Sequence, residues 1–370
     1  MKLVVFGLSV SSAWGNGHAT LWRGLIRALA AKGHTVTFYE RDTPYYAAHR
    51  DCRELPNGQL VLYKNWDEVR SAAVQALREA DAGIVTSYCP DAIGAIELVL
   101  SSAVPIRVYY DLDTPLTLDK LARGEPVPYI PSYGLRDFDL VLSYTGGSAL
   151  TELQRVLGAR RTAPLYGAVD PQLHTPSPPV ERYRADLSYL GTYSQDRQSA
   201  LTELFLAPAE ARPDFAFAVG GSQYPRDFAW KPNVKYLWHV PPHEHAAFYS
   251  SARLSLNVTR APMARLGYCP MGRLFEAASC GAAVISDDWV GIDAFYEPGE
   301  ELLVAKTRDD VLRALALGHG LLHDMARRAR ERTLAQHTTS HRAEQLITLL
   351  EDAHTPTRAF ERETGAALEV

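Results

Sequence analysis

Cysteine is scarce in this chain. Cys52, Cys89, Cys269 and Cys280 are the only four in 370 residues, and they lie far apart. No CxxC pair occurs, which removes both a zinc ribbon and a disulfide framework and makes reduced thiols in a cytoplasmic setting the expectation. No apolar run reaches the roughly 20 residues that a membrane-crossing helix needs. The apolar start, Met1-Lys-Leu-Val-Val-Phe-Gly-Leu-Ser-Val10, is too short to span and has no clear cleavage site, so it fits a buried first strand. Positive charge is not in excess either: 38 Lys and Arg stand against 43 Asp and Glu, a net charge of −5. That argues against general nucleic-acid binding, which leaves a basic footprint, but it permits a local basic cleft. Short repeats and low-complexity tracts are absent, so a solenoid is excluded. What remains is the composition of a globular protein, with 46% hydrophobic and 22% charged residues. The length suffices for two ordinary domains.

Apolar runs at residues 3–6, 35–39, 83–86, 106–110 and 140–143 read as strands. Amphipathic stretches at 17–32, 69–80 and 92–101, and one running to about 157, read as helices. Alternation with short connections implies a parallel sheet covered on both faces. Residues 169–180 are proline-rich and interrupt the pattern, as a linker does. A second alternation follows, with strands at 187–190, 215–219, 234–237 and 254–258 and helices near 199–205, 243–250 and 308–352. The class is therefore α/β. Residues 1–170 form one domain, 171–182 the linker and 183–345 a second domain. Residues 346–370 are a helix end and polar tail expected to pack back on the first. Ligands of such sheets collect at the carboxyl ends of the strands.

One segment carries more chemistry than the rest: Arg265-Leu-Gly-Tyr-Cys-Pro-Met-Gly-Arg-Leu-Phe-Glu276, continuing through Gly281 to Ser286. It reads as a Gly/Pro loop, a short helix, a glycine stop and a buried strand. A loop feeding a helix N-terminus presents unpaired N–H groups and the positive end of the dipole, a site for phosphate or diphosphate. Tyr268, Cys269, Pro270, Met271, Gly272 and Arg273 belong to that loop and helix start. Glu276 stands one turn in, where a carboxylate can accept two hydrogen bonds from a ribose diol. Phosphate plus ribose means a nucleotide.

Two facing Rossmann-like domains with this loop and glutamate in the second resemble the GT-B glycosyltransferases. Phe275-Glu-Ala-Ala-Ser-Cys-Gly281-Ala-Ala-Val-Ile-Ser286 is similar to the EAxxxGxPVI block of the retaining family 4 and glycogen-synthase-like group. Ser11-Ser-Ala-Trp-Gly-Asn-Gly-His-Ala-Thr20, Tyr110-Asp-Leu-Asp-Thr-Pro115 and Asp287-Asp-Trp-Val-Gly-Ile-Asp293 resemble the CgeB-like (spore maturation protein) glycosyltransferases. The resemblance covers nearly the whole chain. It implies a GT-B fold with an interdomain cleft and a nucleotide-diphosphate sugar as donor, with UDP, GDP and dTDP all open. It also implies retaining transfer and no required cofactor. There is one departure. The group carries Glu-x7-Glu, with the first Glu over the donor sugar, and here Tyr268 occupies that place. The ribose role carries over to Glu276, whereas the sugar contact falls to Tyr268 or to the backbone of residues 267–271.

The resemblance also implies roles for residues at strand ends. Gly191 and Thr192 open the loop after the second domain's first strand. Arg197 in that loop is expected to face the diphosphate, with Arg260 as a second cation. His239 and Val240 follow another strand and would bracket the base. In the first domain, Trp14, Gly15, Asn16 and Gly17 form an acceptor-side loop, and His18 begins the first helix as a base or orienting group. Asp111 and Asp113 end a strand and would contact the acceptor or polarise its hydroxyl. Gly146 and Gly147 would line the same cleft. His243-Glu-His245 has the look of a metal pair, yet residues two apart on a helix diverge and no third ligand is evident, so no metal is expected.

The expected function is transfer of a sugar from a nucleotide sugar to an unidentified acceptor: a saccharide, a protein, a lipid, a small metabolite or a modified base. A sugar-nucleotide epimerase or hydrolase on the same fold, and a non-catalytic sugar-binding or coat-associated protein, remain as alternatives. The oligomeric state is not legible.

Overall fold

A computed structural model describes residues 1–354 of the chain. The first half builds β1 (Lys2–Gly7), α1 (Gly17–Ala31), β2 (Thr35–Arg41), a short α2 (Pro44–Ala47), β3 (Gly58–Tyr63), α3 (Trp66–Arg78) and β4 (Ala82–Thr86). It continues through α4 (Ala92–Ser101), β5 (Ile106–Asp111), α5 (Thr114–Ala122), β6 (Leu140–Ser143), α6 (Ser148–Leu157) and β7 (Thr162–Pro164). All pairings are parallel, in the order β3-β2-β1-β4-β5-β6-β7. Strand alternation sorts the core into two layers. Val4 and Phe6 face the helices α3, α4 and α6, while Leu3 and Val5 face α1.

The second half repeats the plan. It runs β8 (Ala185–Leu190), α7 (Gln198–Leu201), a π turn at Thr202–Leu206, α8 (Ala207–Ala211), β9 (Phe217–Gly220), β10 (Val234–Leu237) and α9 (His245–Ser250). Then come β11 (Ala252–Asn257), α10 (Ala261–Leu266), α11 (Gly272–Ser279), β12 (Ala283–Asp287), β13 (Leu303–Ala305), α12 (Arg308–Leu315), α13 (His319–Gln336) and α14 (Thr339–His354). This sheet is also parallel, in the order β10-β9-β8-β11-β12-β13. Both sheets are thus doubly covered, and the Rossmann-like pattern expected from the sequence is present twice. Three strands were not read from the sequence: β3, β7 and β13. The first lies at a sheet edge with an exposed pattern, and the other two have three residues each.

The chain crosses between the halves twice, side by side. Val169 N–H donates to His337 O (3.0 Å), and Thr339 N–H donates to Val169 O (2.9 Å). Asp170 is paired with Arg27 of α1. α14 then lies on α1, and its Ala343, Leu346 and Leu350 join the first-half core with Trp22, Leu25 and Leu29. The three-to-four spacing on each helix supplies the matching apolar faces. This return starts at residue 339, before the 345–346 boundary expected from the sequence. The tail expected over 346–370 is described only to His354; its remainder lies outside the described residues.

Candidate functional site

The carboxyl ends of both sheets open onto one cavity of about 590 Å³. From the first half it is lined by Gly15, Asn16, Gly17, His18, Tyr88 and Asp113. The loop after β1 is held by a residue the sequence reading missed. Glu40 at the end of β2 is fully buried and accepts from Val10 N (2.7 Å), Ser11 N (2.8 Å) and Ser9 Oγ (3.0 Å). The available signal was a lone carboxylate closing an apolar strand. Asn16 caps α1 by accepting from His18 N at 3.1 Å, which sets His18 in the first turn. His18 Nε2 meets Asp113 Oδ2 at 3.0 Å. Such a pairing fixes the tautomer, with the proton on Nε2 and the lone pair on Nδ1.

Asp111 does not line the cavity, contrary to the expectation. It is fully buried and accepts from Asp113 N at 3.1 Å. Burial pushes its carboxyl up to about 6, against the pull of that backbone N–H. Asp111 therefore shapes the turn that aims Asp113.

From the second half, Gly191, Thr192, Arg197, His239, Val240, Arg260, Met271, Gly272, Arg273 and Glu276 all line the cavity. Arg197 is 8% exposed, and its Nη1 donates only to the Thr192 carbonyl at 3.2 Å. Arg273 Nη1 donates to Val258 O at 3.1 Å, and its guanidinium lies 5.4 Å from the Tyr189 ring centre. Neither guanidinium has a carboxylate partner among the described residues, whereas Arg260 is paired with Asp196 at 2.8 Å. Burial, then the charges of Arg273 and Arg260, push the Arg197 guanidinium below its usual range. Enclosing like charges without counterions is costly, so the arrangement calls for an anion. The N-terminus of α11 adds to it. No side chain caps this helix, and beside Gly272 the nearest atoms to an added Cβ are Glu276 Oε1 at 3.8 Å and Tyr144 Oη at 4.0 Å. Glu276 is held on one oxygen, accepting from Tyr249 Oη at 3.1 Å, which leaves Oε1 on the Gly272 side.

The loop before α11 departs from expectation. Tyr268, Cys269 and Pro270 do not line the cavity, and neither do Gly146 and Gly147. These residues instead join the two halves. Tyr268 has a left-handed backbone (φ 47), and its O accepts from Gly146 N at 3.0 Å. Its ring is sandwiched by glycines, since a Cβ on Gly147 or Gly291 would come within 2.5 or 2.6 Å of it. Cys269 is fully buried and accepts from Thr145 Oγ1 at 3.1 Å.

Trp14 is also not part of the lining. It stacks on His49 at 4.2 Å and lies 4.1 Å from His239, so it bridges the halves beside the cavity. Missed lining residues include Tyr88, whose backbone is left-handed (φ 62), Tyr249, and the loop Gly221-Ser222-Gln223 after β9. The last had a signal in its glycine-rich strand end.

His243 is exposed, but His245 turns inward. It meets His174 of the linker and Glu276, with one ligand atom of each within 4.8 Å of the others. His174 and Glu276 come to it from elements distant in the sequence.

Residues 197–348 match the family model described as glycosyl transferase-like. The described architecture, two facing parallel-sheet domains around a cleft, is the GT-B fold. Sucrose-phosphate synthase from Thermosynechococcus elongatus aligns with a TM-score of 0.72 and 15% identity, over 95% of this chain and 99% of that one. HepE of Anabaena in complex with UDP and glucose aligns at 0.64 and 15%, over 95% and 100%. An alpha-glucosyltransferase in complex with UDP aligns at 0.66 and 12%, over 95% and 100%. No curated protein sequence matches the chain. No helix among the described residues is long and apolar enough to cross a membrane.

Proposed function

We propose that this glycosyl transferase-like chain moves a sugar from a UDP-sugar to an acceptor hydroxyl. The observation that carries the reading is the pair of guanidiniums without a carboxylate ion pair among the described residues, Arg197 and Arg273, enclosed beside the uncapped N-terminus of α11. A diphosphate there would meet two fixed positive charges and free backbone N–H groups, with Glu276 one turn away for the ribose. UDP is favoured among nucleotides because HepE and the alpha-glucosyltransferase are both named as UDP complexes. The arginines supply at the diphosphate the charge that a divalent ion supplies in other transferases, so transfer proceeds without magnesium or manganese. The acceptor approaches from the first half, past Gly15–Gly17 and His18.

In the reaction the bond between C1 and the β-phosphate oxygen breaks, and its electron pair leaves with UDP. The acceptor oxygen forms the new bond to C1. With retention, the CgeB-like reading, the departing phosphate oxygen takes the acceptor proton on the same face. The name of the alpha-glucosyltransferase is in keeping with that outcome. The His18–Asp113 pair favours a second reading: inversion, with His18, oriented by Asp113, taking the proton.

The test is incubation with a panel of nucleotide sugars and hydroxyl acceptors, followed by product analysis. UDP release with a glycosylated product is expected, and NMR of the new anomeric proton separates retention from inversion. Isomerised sugar nucleotide without UDP release would overturn transfer in favour of epimerase chemistry. No binding or turnover of any nucleotide sugar would overturn the enzyme reading altogether.

A further inference from the structure

The inward-facing histidines have no assigned work. His174 is 5% exposed, and its Nδ1 is buried without a hydrogen-bond partner. The Nδ1 of His245 is in the same condition. Two unpartnered ring nitrogens in one place leave polar atoms unsatisfied, and buried polar groups in native structures usually find a partner, whether protein, ordered water or an ion. Glu276 completes the group, one ligand atom of each residue lying within 4.8 Å of the others.

We propose that His174, His245 and Glu276 form a binding site for a borderline-soft divalent cation of the zinc type, on the ribose side of the cavity. The donor set is two imidazoles and a carboxylate, a set that suits zinc and disfavours magnesium or calcium. The outer partners are also in place. His245 Nε2 lies 3.1 Å from the Val240 carbonyl, so the proton sits on Nε2 and the Nδ1 lone pair is free. That is the usual second contact of a metal-bound histidine. Tyr249 Oη plays the matching part at Glu276 Oε2.

The three elements are stitched together before any ion arrives. Ser279 Oγ of α11 donates to His174 O at 2.6 Å, and Ser250 Oγ of α9 donates to Cys280 O at 3.2 Å. The linker returns the contact, with Ser177 N donating to Ser250 Oγ at 3.2 Å. Tetrahedral bonds of zinc length put ligand atoms about 3.3 Å apart, so side-chain rotation of about 1 Å closes the site. Because His245 and Glu276 also line the cavity, the fourth coordination position faces it. The ion would fix one oxygen of Glu276 and leave the carboxylate's free side to the ribose.

The inference needs only the ligand set and does not depend on the donor reading. Metal-stripped full-length protein is titrated with zinc against a chromophoric chelator, and separately with cobalt to read the intense visible bands of a tetrahedral site. One equivalent is expected. His174→Ala and His245→Ala should each weaken zinc by more than the about 10–100-fold that loss of an outer contact costs. His243→Ala, in the same short motif but exposed, should bind normally. No tetrahedral cobalt spectrum from the wild-type chain overturns the site whether or not a variant folds. Zinc affinity unchanged by both inward-facing substitutions overturns it equally. UDP binding to the metal-stripped wild type is read in parallel. If it persists while zinc fails to bind, only the metal site is lost; if UDP fails while zinc binds, only the donor reading is.

Discussion

The two faces of the cleft are built on the same sheet plan and carry opposite chemistry. On the second-half face, two guanidiniums are enclosed beside a helix N-terminus without a carboxylate ion pair among the described residues. On the first-half face, a histidine is paired with an aspartate, a second aspartate is buried beneath it, and a buried glutamate grips the loop. Like folds place loops alike, but the residues at strand ends decide what each face can hold. The cationic face is made for a group that arrives charged. The acidic face is made to orient or accept a proton.

That contrast can be broken in order of expected effect. If transfer is inverting, His18→Ala removes the base, so kcat should fall about 10²–10⁴-fold while UDP affinity is kept. A fall of less than tenfold would assign His18 to orientation alone and favour retention. Arg273→Ala strikes the other face: kcat/KM should drop about 10²–10³-fold, and lysine should restore little because it lacks the planar fork. Steady-state kinetics together with UDP calorimetry separate the two faces, since only the second variant should weaken UDP. Glu276→Gln should weaken UDP by about ten- to a hundredfold, the loss of charged hydrogen bonds to a diol. An equal loss for a ribose-free diphosphate would refute the ribose role.

The smallest effect concerns Asp111. Its carboxyl is raised from 3.8 to about 6, so between those values the folded state holds a proton that the unfolded state has lost. Stability contributed by that proton therefore declines as pH rises through the window. Asp111→Asn should gain on the wild type by about 1–3 kcal/mol from pH 4 to 7 in urea unfolding. Asp287, also raised to about 6 by burial, leaves a residual slope in the variant. A constant difference between the two proteins across that range would mean that Asp111 titrates normally.

Much of the second face was legible because its signals are local. Arg273 and Glu276 sit on one short helix behind a Gly/Pro loop, and their spacing along the chain is their spacing in space. The misreadings were of another kind. Tyr268 stands next to those residues in sequence, yet its left-handed backbone and two glycine neighbours from different halves turn it into an interdomain contact. Gly146 and Gly147 looked like a ligand-facing turn; Gly147 instead makes room for that ring, and Gly146 lies against Tyr166 and donates its N–H to Tyr268 O. Glu40 and His174 drew no attention, because their partners lie dozens of residues away.

By itself the chain's order of residues determined the doubly wound halves, the strand-end loops and the helix start that favours phosphate, because periodicity and turn chemistry act over a few residues. Only the tertiary structure decided which loop residues face the cavity and which close the halves together. It also gathered His174, His245 and Glu276 into one group. Burial and approach between distant elements set those outcomes, and neither is a property of any short stretch of chain.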